Sequence, residues 1–180
     1  MNNQKETFLN YEADAWFKRN KAAIEIYNFH EDFVIKILNS YSISPCKVLE
    51  IGSSAGHRLN GIKKKYPESE LYGIDPSVEA IEYGKTNYPQ INLSVGTMDE
   101  LPFEKNKFDV VIVGFVFYVV DRELLFQSIA ETDRVLQNSG LLIIVDFFSE
   151  KALKNKGLLI KYIHVSLQKK LNYELSQMHL

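Results

Sequence analysis

Cysteine is almost missing from this sequence of 180 residues, in which Cys46 is the single example. One cysteine excludes a disulfide framework within the chain and a zinc site built from cysteines, and it is typical of proteins in a reducing compartment. No run of about 18 consecutive apolar residues occurs, so no membrane-spanning helix is expected. Residues 1–6 are polar and lack the apolar core of a signal peptide. We therefore expect a cytoplasmic protein.

A strong excess of charge is missing as well. The formal net charge is −2 at pH 7, which is too close to zero for a general nucleic-acid binder. The charge is unevenly spread, because residues 151–180 carry six lysines and one acid, Glu174, for a net charge of +5. This basic end indicates either a solvated helix face or a surface for an acidic partner or a membrane.

Proline and glycine, five and nine in number, divide the chain into short periodic segments. Residues 8–29 and 29–41 show helical spacing of apolar residues, and the second of these segments is clearly amphipathic. Short apolar segments then predict five strands at 47–51, 71–74, 91–95, 108–113 and 141–148, with helices predicted at 56–66, 78–88 and 122–136. Strands that alternate with helices and are apolar throughout predict a mainly parallel sheet with helices on both faces, a Rossmann-like, doubly wound α/β fold.

The turn after the first predicted strand carries the first sign of a ligand site. Gly52 allows a sharp turn, Ser53, Ser54 and Ala55 are small enough for a ligand to approach the backbone, and Gly56 allows close helix packing. In an open α/β sheet this turn lies at the ligand-binding edge, and the following helix start favours an anion. The spacing is neither a dinucleotide fingerprint nor a P-loop, and a tight structural turn explains the same pattern.

Two acids follow the next two predicted strands. Asp75 is placed to accept hydrogen bonds from both hydroxyls of a ribose; the other interpretation is an N-terminal helix cap together with Ser77, and both can hold at once. Asp99 could accept a hydrogen bond from an exocyclic amine, with Met98 covering a flat ring. The other interpretation of Asp99 is a capping acid in a loop.

In combination these features resemble the class I S-adenosylmethionine-dependent methyltransferases, and most of all the small-molecule group that includes the ubiquinone and menaquinone C-methyltransferases. The match runs from about residue 46 to residue 147. Its first motif is an acid followed by glycines at alternate positions, here Glu50-Ile51-Gly52-Ser53-Ser54-Ala55-Gly56, with Ser54 in place of the middle glycine. The cofactor-binding residues that the resemblance implies are Glu50, Gly52, Ser53, Ser54, Gly56, Asp75, Pro76, Thr97, Met98, Asp99, Gly114 and Phe115.

The resemblance also divides the chain into three parts. Residues 1–42 would form an N-terminal helical cap or lid, 43–150 the cofactor-binding Rossmann-like domain, and 151–180 a basic tail. Members of the family continue after the fifth strand with a helix and two more strands, so the sheet edge here is expected to be shortened. Apolar residues at steps of four predict a helical tail, with a strand at 158–163 as the alternative. The tail is expected to cover the edge of the fifth strand or to pair with a second copy in a homodimer.

The implied activity is methyl transfer from S-adenosylmethionine to a small or medium organic acceptor, with S-adenosylhomocysteine as product. Because the cofactor supplies the reactivity, no catalytic residue is obligatory. Tyr118 is a candidate for a substrate hydrogen bond or a packed aromatic residue, and Asp146 is a candidate base or a structural carboxylate. His57 is expected to pack in its loop. The other histidines lack metal-ligand spacing, so no metal is expected.

Three residues of the first predicted helix, Tyr11, Trp16 and Arg19, are candidates for a lid over the cofactor, where an aromatic ring would shield a sulfonium. A hydrophobic helix docked on the sheet is the alternative. Residues 114–118 read Gly-Phe-Val-Phe-Tyr and differ from the Asn/Asp-Pro-Pro-Tyr/Phe of the adenine and cytosine amino-methyltransferases, so DNA is not expected as the acceptor. The rival interpretation is a non-catalytic protein that keeps the fold and binds the cofactor.

Overall fold

A computed structural model describes residues 6, 8–147 and 163–169, and these residues contain six strands and five α-helices. The strands are β1 Lys47–Ile51, β2 Glu70–Asp75, β3 Asn92–Val95, β4 Phe108–Gly114, β5 Leu136–Phe147 and β6 Ile163–Lys169. The helices are α1 Ala13–Glu25, α2 Phe33–Ser40, α3 His57–Lys65, α4 Val78–Asn87 and α5 Leu125–Val135. A π-helical turn, Phe8–Glu12, precedes α1, and a 3-10 turn, Phe29–Glu31, precedes α2.

The strands form one sheet in the order β3-β2-β1-β4-β5-β6. The first five run parallel, and β6 pairs antiparallel with β5. The chain moves outward from β1 to β3 and then returns to β4 on the other side of β1, so the carboxyl ends of β1 and β4 flank the point where the strand order reverses. Open α/β sheets bind their ligands at this point. The predicted Rossmann-like, doubly wound fold is confirmed.

Both faces of the sheet are buried, and β4 shows why its sequence is apolar throughout. Val110 and Ile112 pack on one face with side chains of α2 and α3, whereas Val111 and Val113 pack on the other face with Val135 of α5. Successive side chains of a strand point to opposite faces, so a strand that is covered twice must be apolar at every position. Segment 1–42 contributes to this core through α2.

The predicted amphipathic helix over residues 29–41 is wrong in its first turn and in part of its buried face. Asp32 interrupts it, because its carboxylate accepts hydrogen bonds from the backbone N–H groups of Val34 and Ile35 and so starts α2 at the following residue. The resulting rotation leaves Phe33 and Tyr41 57% and 64% exposed, while Ile35 is buried.

The prediction of a helical tail is wrong for residues 163–169, which form β6 and cover the free edge of β5. The sequence Ile-His-Val-Ser-Leu-Gln-Lys alternates between apolar and polar residues, and this period of two favours a strand over the helical step of four. In the described part of the chain one strand lies beyond β5, where the resemblance implies two. Residues 148–162 and 170–180 lie outside the described residues, as does most of the alternative strand at 158–163.

Candidate functional site

The turn between β1 and α3 brings the end of β1 against the end of β4. Gly52 has a φ of +77°, and a Cβ atom there would lie 2.5 Å from the carbonyl oxygen of Gly114 and 2.5 Å from Cγ2 of Val116. Ser54, which stands where the family has a glycine, also adopts the left-handed region with a φ of +48°. That conformation costs a non-glycine residue about 1–2 kcal/mol. The turn therefore holds both Gly52 and Ser54 in the left-handed region.

A cavity opens at the carboxyl ends of the central strands, next to this turn. Of the residues predicted to bind the cofactor, the structure places the following in its wall: Glu50, Gly52, Ser54, Asp75, Pro76, Thr97, Met98, Asp99, Gly114 and Phe115. Two of the predicted residues lie behind the wall. The Ser53 side chain packs against Gly73 of β2, and Gly56 packs against Leu93 of β3. These two glycine contacts let the turn lie close to the neighbouring strands.

Asp75 ends β2 and fixes the backbone on two sides of the cavity. Its Oδ2 accepts a hydrogen bond from Ser54 N at 2.7 Å, and its Oδ1 accepts one from Ser77 N at 2.9 Å. Ser77 is itself the N-cap of α4, since its Oγ accepts from Ala80 N at 3.0 Å. Burial raises the pKa of Asp75 to about 6, against the effect of the two N–H groups. A carboxylate has about four acceptor sites, so Asp75 retains capacity for ligand hydroxyls.

Glu50 near the end of β1 is 2% exposed and lines the cavity. Its Oε1 forms an ion pair with Nη1 of Arg58, and its Oε2 is a buried acceptor without a hydrogen-bond partner among the described residues. Burial raises the pKa of Glu50 to about 7, although Arg58 acts in the opposite direction. Ser54 Oγ is likewise buried without a partner there. These two oxygens are available to a polar ligand.

The segment after β3 supplies another wall of the cavity. Met98 and Asp99 are both buried, and Met98 belongs to the apolar cluster beneath the cavity. Gln127 of α5 anchors the segment by donating a hydrogen bond from Nε2 to the carbonyl oxygen of Asp99 at 2.9 Å. An apolar surface beside a carboxylate suits a flat, nitrogen-rich ring.

The segment after β4 carries the predicted acceptor-side residues. Tyr118 lines the cavity, is 46% exposed, and packs edge-on against Phe147 with ring centroids 5.0 Å apart. Asp146 does not line the cavity; its Oδ2 accepts from Phe117 N at 2.8 Å and its Oδ1 from Phe147 N at 2.7 Å. Of the two interpretations of Asp146, this geometry favours the structural carboxylate, which holds Tyr118 in place through the neighbouring backbone.

The N-terminal helix forms part of the cavity wall, but not with all the predicted residues. Trp16 of α1 lines the cavity. Tyr11 is 76% exposed, and Arg19 pairs with Glu12; neither of the two lines the cavity. Leu9, just before α1, takes part instead.

His57 opens α3 and packs edge-on against Tyr27, with the ring centroids 4.7 Å apart. Burial lowers its pKa to about 4, so the imidazole is neutral at physiological pH. This contact agrees with the packing role expected for His57 from the sequence.

Three charged residues of the site were missed from the sequence: Arg58, Asp32 and Asp121, the last of which lines the cavity after β4. Arg58 lies beside Glu50 and forms a second ion pair with Asp32, from Nε to Oδ2 at 2.9 Å. A cation in the first turn of a helix that starts at a ligand-binding loop was the available signal for Arg58. Asp32 gave none, because it is distant in sequence and typical of a helix cap.

Neither a metal centre nor a membrane helix is found in the part of the chain that the structure describes. There, no group of three or more His, Cys, Asp or Glu side chains is arranged to hold a metal ion. None of the helices in the same residues combines the length and the apolar content needed to cross a membrane.

Comparison with known proteins identifies the family of the chain and several of its relatives. The family model described as "Methyltransferase domain" matches residues 48–140. The ubiquinone/menaquinone biosynthesis C-methyltransferase UbiE of Citrifermentans bemidjiense is 32% identical over 109 residues, which cover 56% of this chain and 45% of that protein. The demethylmenaquinone methyltransferase of Thermotoga maritima is 28% identical over 116 residues, which cover 64% of this chain and 49% of that protein.

Among solved structures, a putative S-adenosyl-L-methionine-dependent methyltransferase from Methanococcus maripaludis superposes with a TM-score of 0.60 at 20% identity. That match covers 76% of this chain and 62% of the other. The chain spans about half the length of the two sequence relatives, 45% and 49%. The structural match supports the fold that the strand order had already indicated.

Proposed function

The chain belongs to the methyltransferase domain family, and on that premise we propose that it transfers a methyl group from S-adenosylmethionine to a small or medium organic acceptor. S-adenosylhomocysteine is then the second product. One observation carries the proposal: Glu50, Asp75 and Asp99 lie at or just after the carboxyl ends of three adjacent strands, β1, β2 and β3, and all three line one cavity. This row of carboxylates suits a long ligand with hydrogen-bond donors at several points along its length.

The residues present fit this cofactor at each end. Glu50 offers a buried, unpartnered Oε2 to the ammonium group of the methionine part, and Ser54 offers Oγ beside it. Asp75 accepts from the ribose hydroxyls, and Asp99 with Met98 receives the adenine ring. Gly52 and Gly114 keep the wall free of side chains between these points.

When bound, the cofactor supplies an activated methyl group on its sulfonium. The chain's own task is to orient the acceptor in line with that methyl group and to exclude water. Trp16 and Tyr118 close the cavity from opposite elements, α1 and the segment after β4, and their ring faces are suited to a cation. Burial raises the pKa of Tyr118 above its usual value, so its hydroxyl donates a hydrogen bond to the acceptor and does not act as a base.

The acceptor side of the cavity is mainly apolar. Val119, Val120 and Leu124 extend the wall from Tyr118 toward α5, with the charged Asp121 among them. This wall favours an acceptor with an apolar or aromatic body. DNA is no part of the proposal, because the segment after β4 lacks the motif of the DNA amino-methyltransferases.

We also propose a cytoplasmic location and assembly into a homodimer. The single cysteine, Cys46, is free and exposed, as is usual in a reducing compartment, and this supports a cytoplasmic location. Among the described residues β6 is the outermost strand on its side of the sheet. An edge strand can pair with a second copy, which is the basis for a homodimer. Gel filtration at several protein concentrations tests the homodimer.

Transfer of a labelled methyl group tests the proposed activity. The protein is incubated with methyl-labelled S-adenosylmethionine and a panel of acceptors led by demethylmenaquinone, which the name of one relative suggests. We expect S-adenosylhomocysteine to form only with the protein and an acceptor together, and not with the Asp75→Ala variant. Cofactor binding without transfer to any member of the panel would favour the non-catalytic alternative.

A further inference from the structure

Arg58, the second residue of α3, is a largely buried cation between two carboxylates. Its side chain is 12% exposed; Nη1 pairs with Glu50 and Nε pairs with Asp32 at 2.9 Å. Gly114 makes room for this arrangement, since a Cβ atom there would lie 3.0 Å from Nη1 of Arg58 and 3.4 Å from Oε1 of Glu50. The end of β4 therefore packs directly on the ion pair.

The second partner of Arg58 belongs to the start of a core helix. While Oδ2 of Asp32 pairs with Arg58, its Oδ1 accepts from Val34 N at 2.9 Å and from Ile35 N at 3.2 Å, which caps α2. One guanidinium thus links the cavity-lining acid of β1 to the helix that precedes the sheet. Charged hydrogen bonds of this kind also fix the direction in which a carboxylate points.

We propose that Arg58 is a positioning residue of the cofactor site: it favours the ionised form of Glu50 and holds its Oε1, so that Oε2 is left for the cationic amino-acid end of the ligand. The inference rests on the proposed function, because it takes that ligand to be S-adenosylmethionine. Arg58 also lines the cavity, but in this proposal Glu50 is the residue in contact with the ligand and Arg58 acts through it.

The charged groups that act on Glu50 decide how this role depends on pH. Arg58 favours its ionised form, whereas burial and the negative charges of Asp32 and Asp75 disfavour it, and the balance raises the pKa to about 7. The nearby Tyr27 phenol is neutral, because burial raises its pKa. Ligand affinity of the natural chain should therefore increase as pH rises through about 7. Without Arg58 the pH at the midpoint of this increase in affinity should move upward by about one unit or more.

Calorimetric titration with S-adenosylmethionine and with adenosine tests this role. Arg58→Met removes the charge, and Arg58→Lys keeps a charge with fewer contacts. Lys36→Met is the control, because it breaks an exposed ion pair between Lys36 of α2 and Glu31. At pH 7 we expect Arg58→Met to weaken S-adenosylmethionine binding by about 10-fold, Arg58→Lys to weaken it less, and the control to leave it unchanged. Adenosine lacks the amino-acid end, so its affinity should not change.

The possible results separate the inference from the proposed function. A folded Arg58→Met with unchanged affinity and an unmoved midpoint would overturn the inference, and so would an equal loss for adenosine, which indicates a merely structural role. If Arg58→Met does not fold, Arg58→Lys decides by the same two criteria. Failure of the natural chain to bind S-adenosylmethionine at any pH would instead contradict the proposed function.

Discussion

The carboxylate of Asp14 on α1 accepts a hydrogen bond from Ser77 Oγ at 2.6 Å, although 63 residues separate the two. The same Oδ1 atom accepts from Glu79 N at 3.1 Å. Asp14 is therefore a second cap of α4, supplied by another helix, and it docks α1 where Trp16 closes the cavity. The N-terminal helix is attached to the rim of the cavity through Ser77, the residue that follows Asp75-Pro76.

Removal of this cap should loosen α1. Asp14→Ala leaves the N–H group of Glu79 without its acceptor, and we expect α1 to lose about 1 kcal/mol of local stability. Hydrogen exchange of the α1 amides measures this directly. Lys18→Ala is the matched control, because Lys18 and Glu79 form an exposed ion pair between the same two helices, and exposed pairs contribute little. Equal exchange rates in the Asp14→Ala variant and the natural chain would contradict the docking role.

Acid should destabilise the fold partly through His57. Its pKa is about 4 in the fold and about 6.5 in the unfolded chain, so between these values the unfolded chain binds more protons and stability rises with pH. We expect His57→Phe to lose this contribution, which amounts to about 2–3 kcal/mol across the window. Chemical unfolding at a series of pH values measures it.

The comparison of the two proteins matters more than either pH profile alone. Glu50 and Asp75 have raised pKa values, so they bind extra protons in the fold and make stability fall as pH rises. Glu50 and Asp75 are present in both proteins, so subtracting the free energies of unfolding of the natural chain and the His57→Phe variant at each pH removes this opposing effect. A difference that stays constant from pH 4 to pH 6.5 would mean that His57 is not held neutral.

Asp146 should behave as a structural residue. In Asp146→Ala the N–H groups of Phe117 and Phe147 lose their acceptor, which we expect to lower the free energy of unfolding by about 1–3 kcal/mol. Thermal unfolding and the methyl-transfer assay together test this, with Asp146→Asn as the conservative variant. If Asp146→Asn kept full stability but abolished transfer, Asp146 would be a base and the structural assignment would be wrong.

The sheet and most of the cavity wall could be predicted from the sequence because each depends on local signals. Strands such as β4 are apolar at every position, and their carboxyl ends bring Glu50, Asp75 and Asp99 to one edge wherever the strand order is Rossmann-like. The glycine at position 52 is required by a local backbone conformation. Such features need no knowledge of distant contacts.

Features that depend on distant partners were missed or misjudged. The Asp32–Arg58–Glu50 chain joins residues on three elements, and nothing local distinguishes Asp32 from an ordinary helix cap. The segment that forms β6 was predicted as a helix because its apolar residues recur at steps of four. Its alternation of apolar and polar residues decides the structure because β5 offers a free edge with which a strand can pair. For Asp146 the sequence left a base and a structural carboxylate equally open, because it does not reveal the path of the segment after β4 that brings Phe117 N to the carboxylate.

The central claim is that this cavity holds S-adenosylmethionine with Asp75 on its ribose. Calorimetric titration of S-adenosylmethionine and S-adenosylhomocysteine into the natural chain, Asp75→Ala and the exposed control Glu82→Ala tests it most directly. We expect the natural chain and the control to bind both ligands, and Asp75→Ala to bind them at least about 10-fold more weakly, as loss of a charged hydrogen bond predicts. No binding by the folded natural chain, or equal affinity in a folded Asp75→Ala, would contradict the claim.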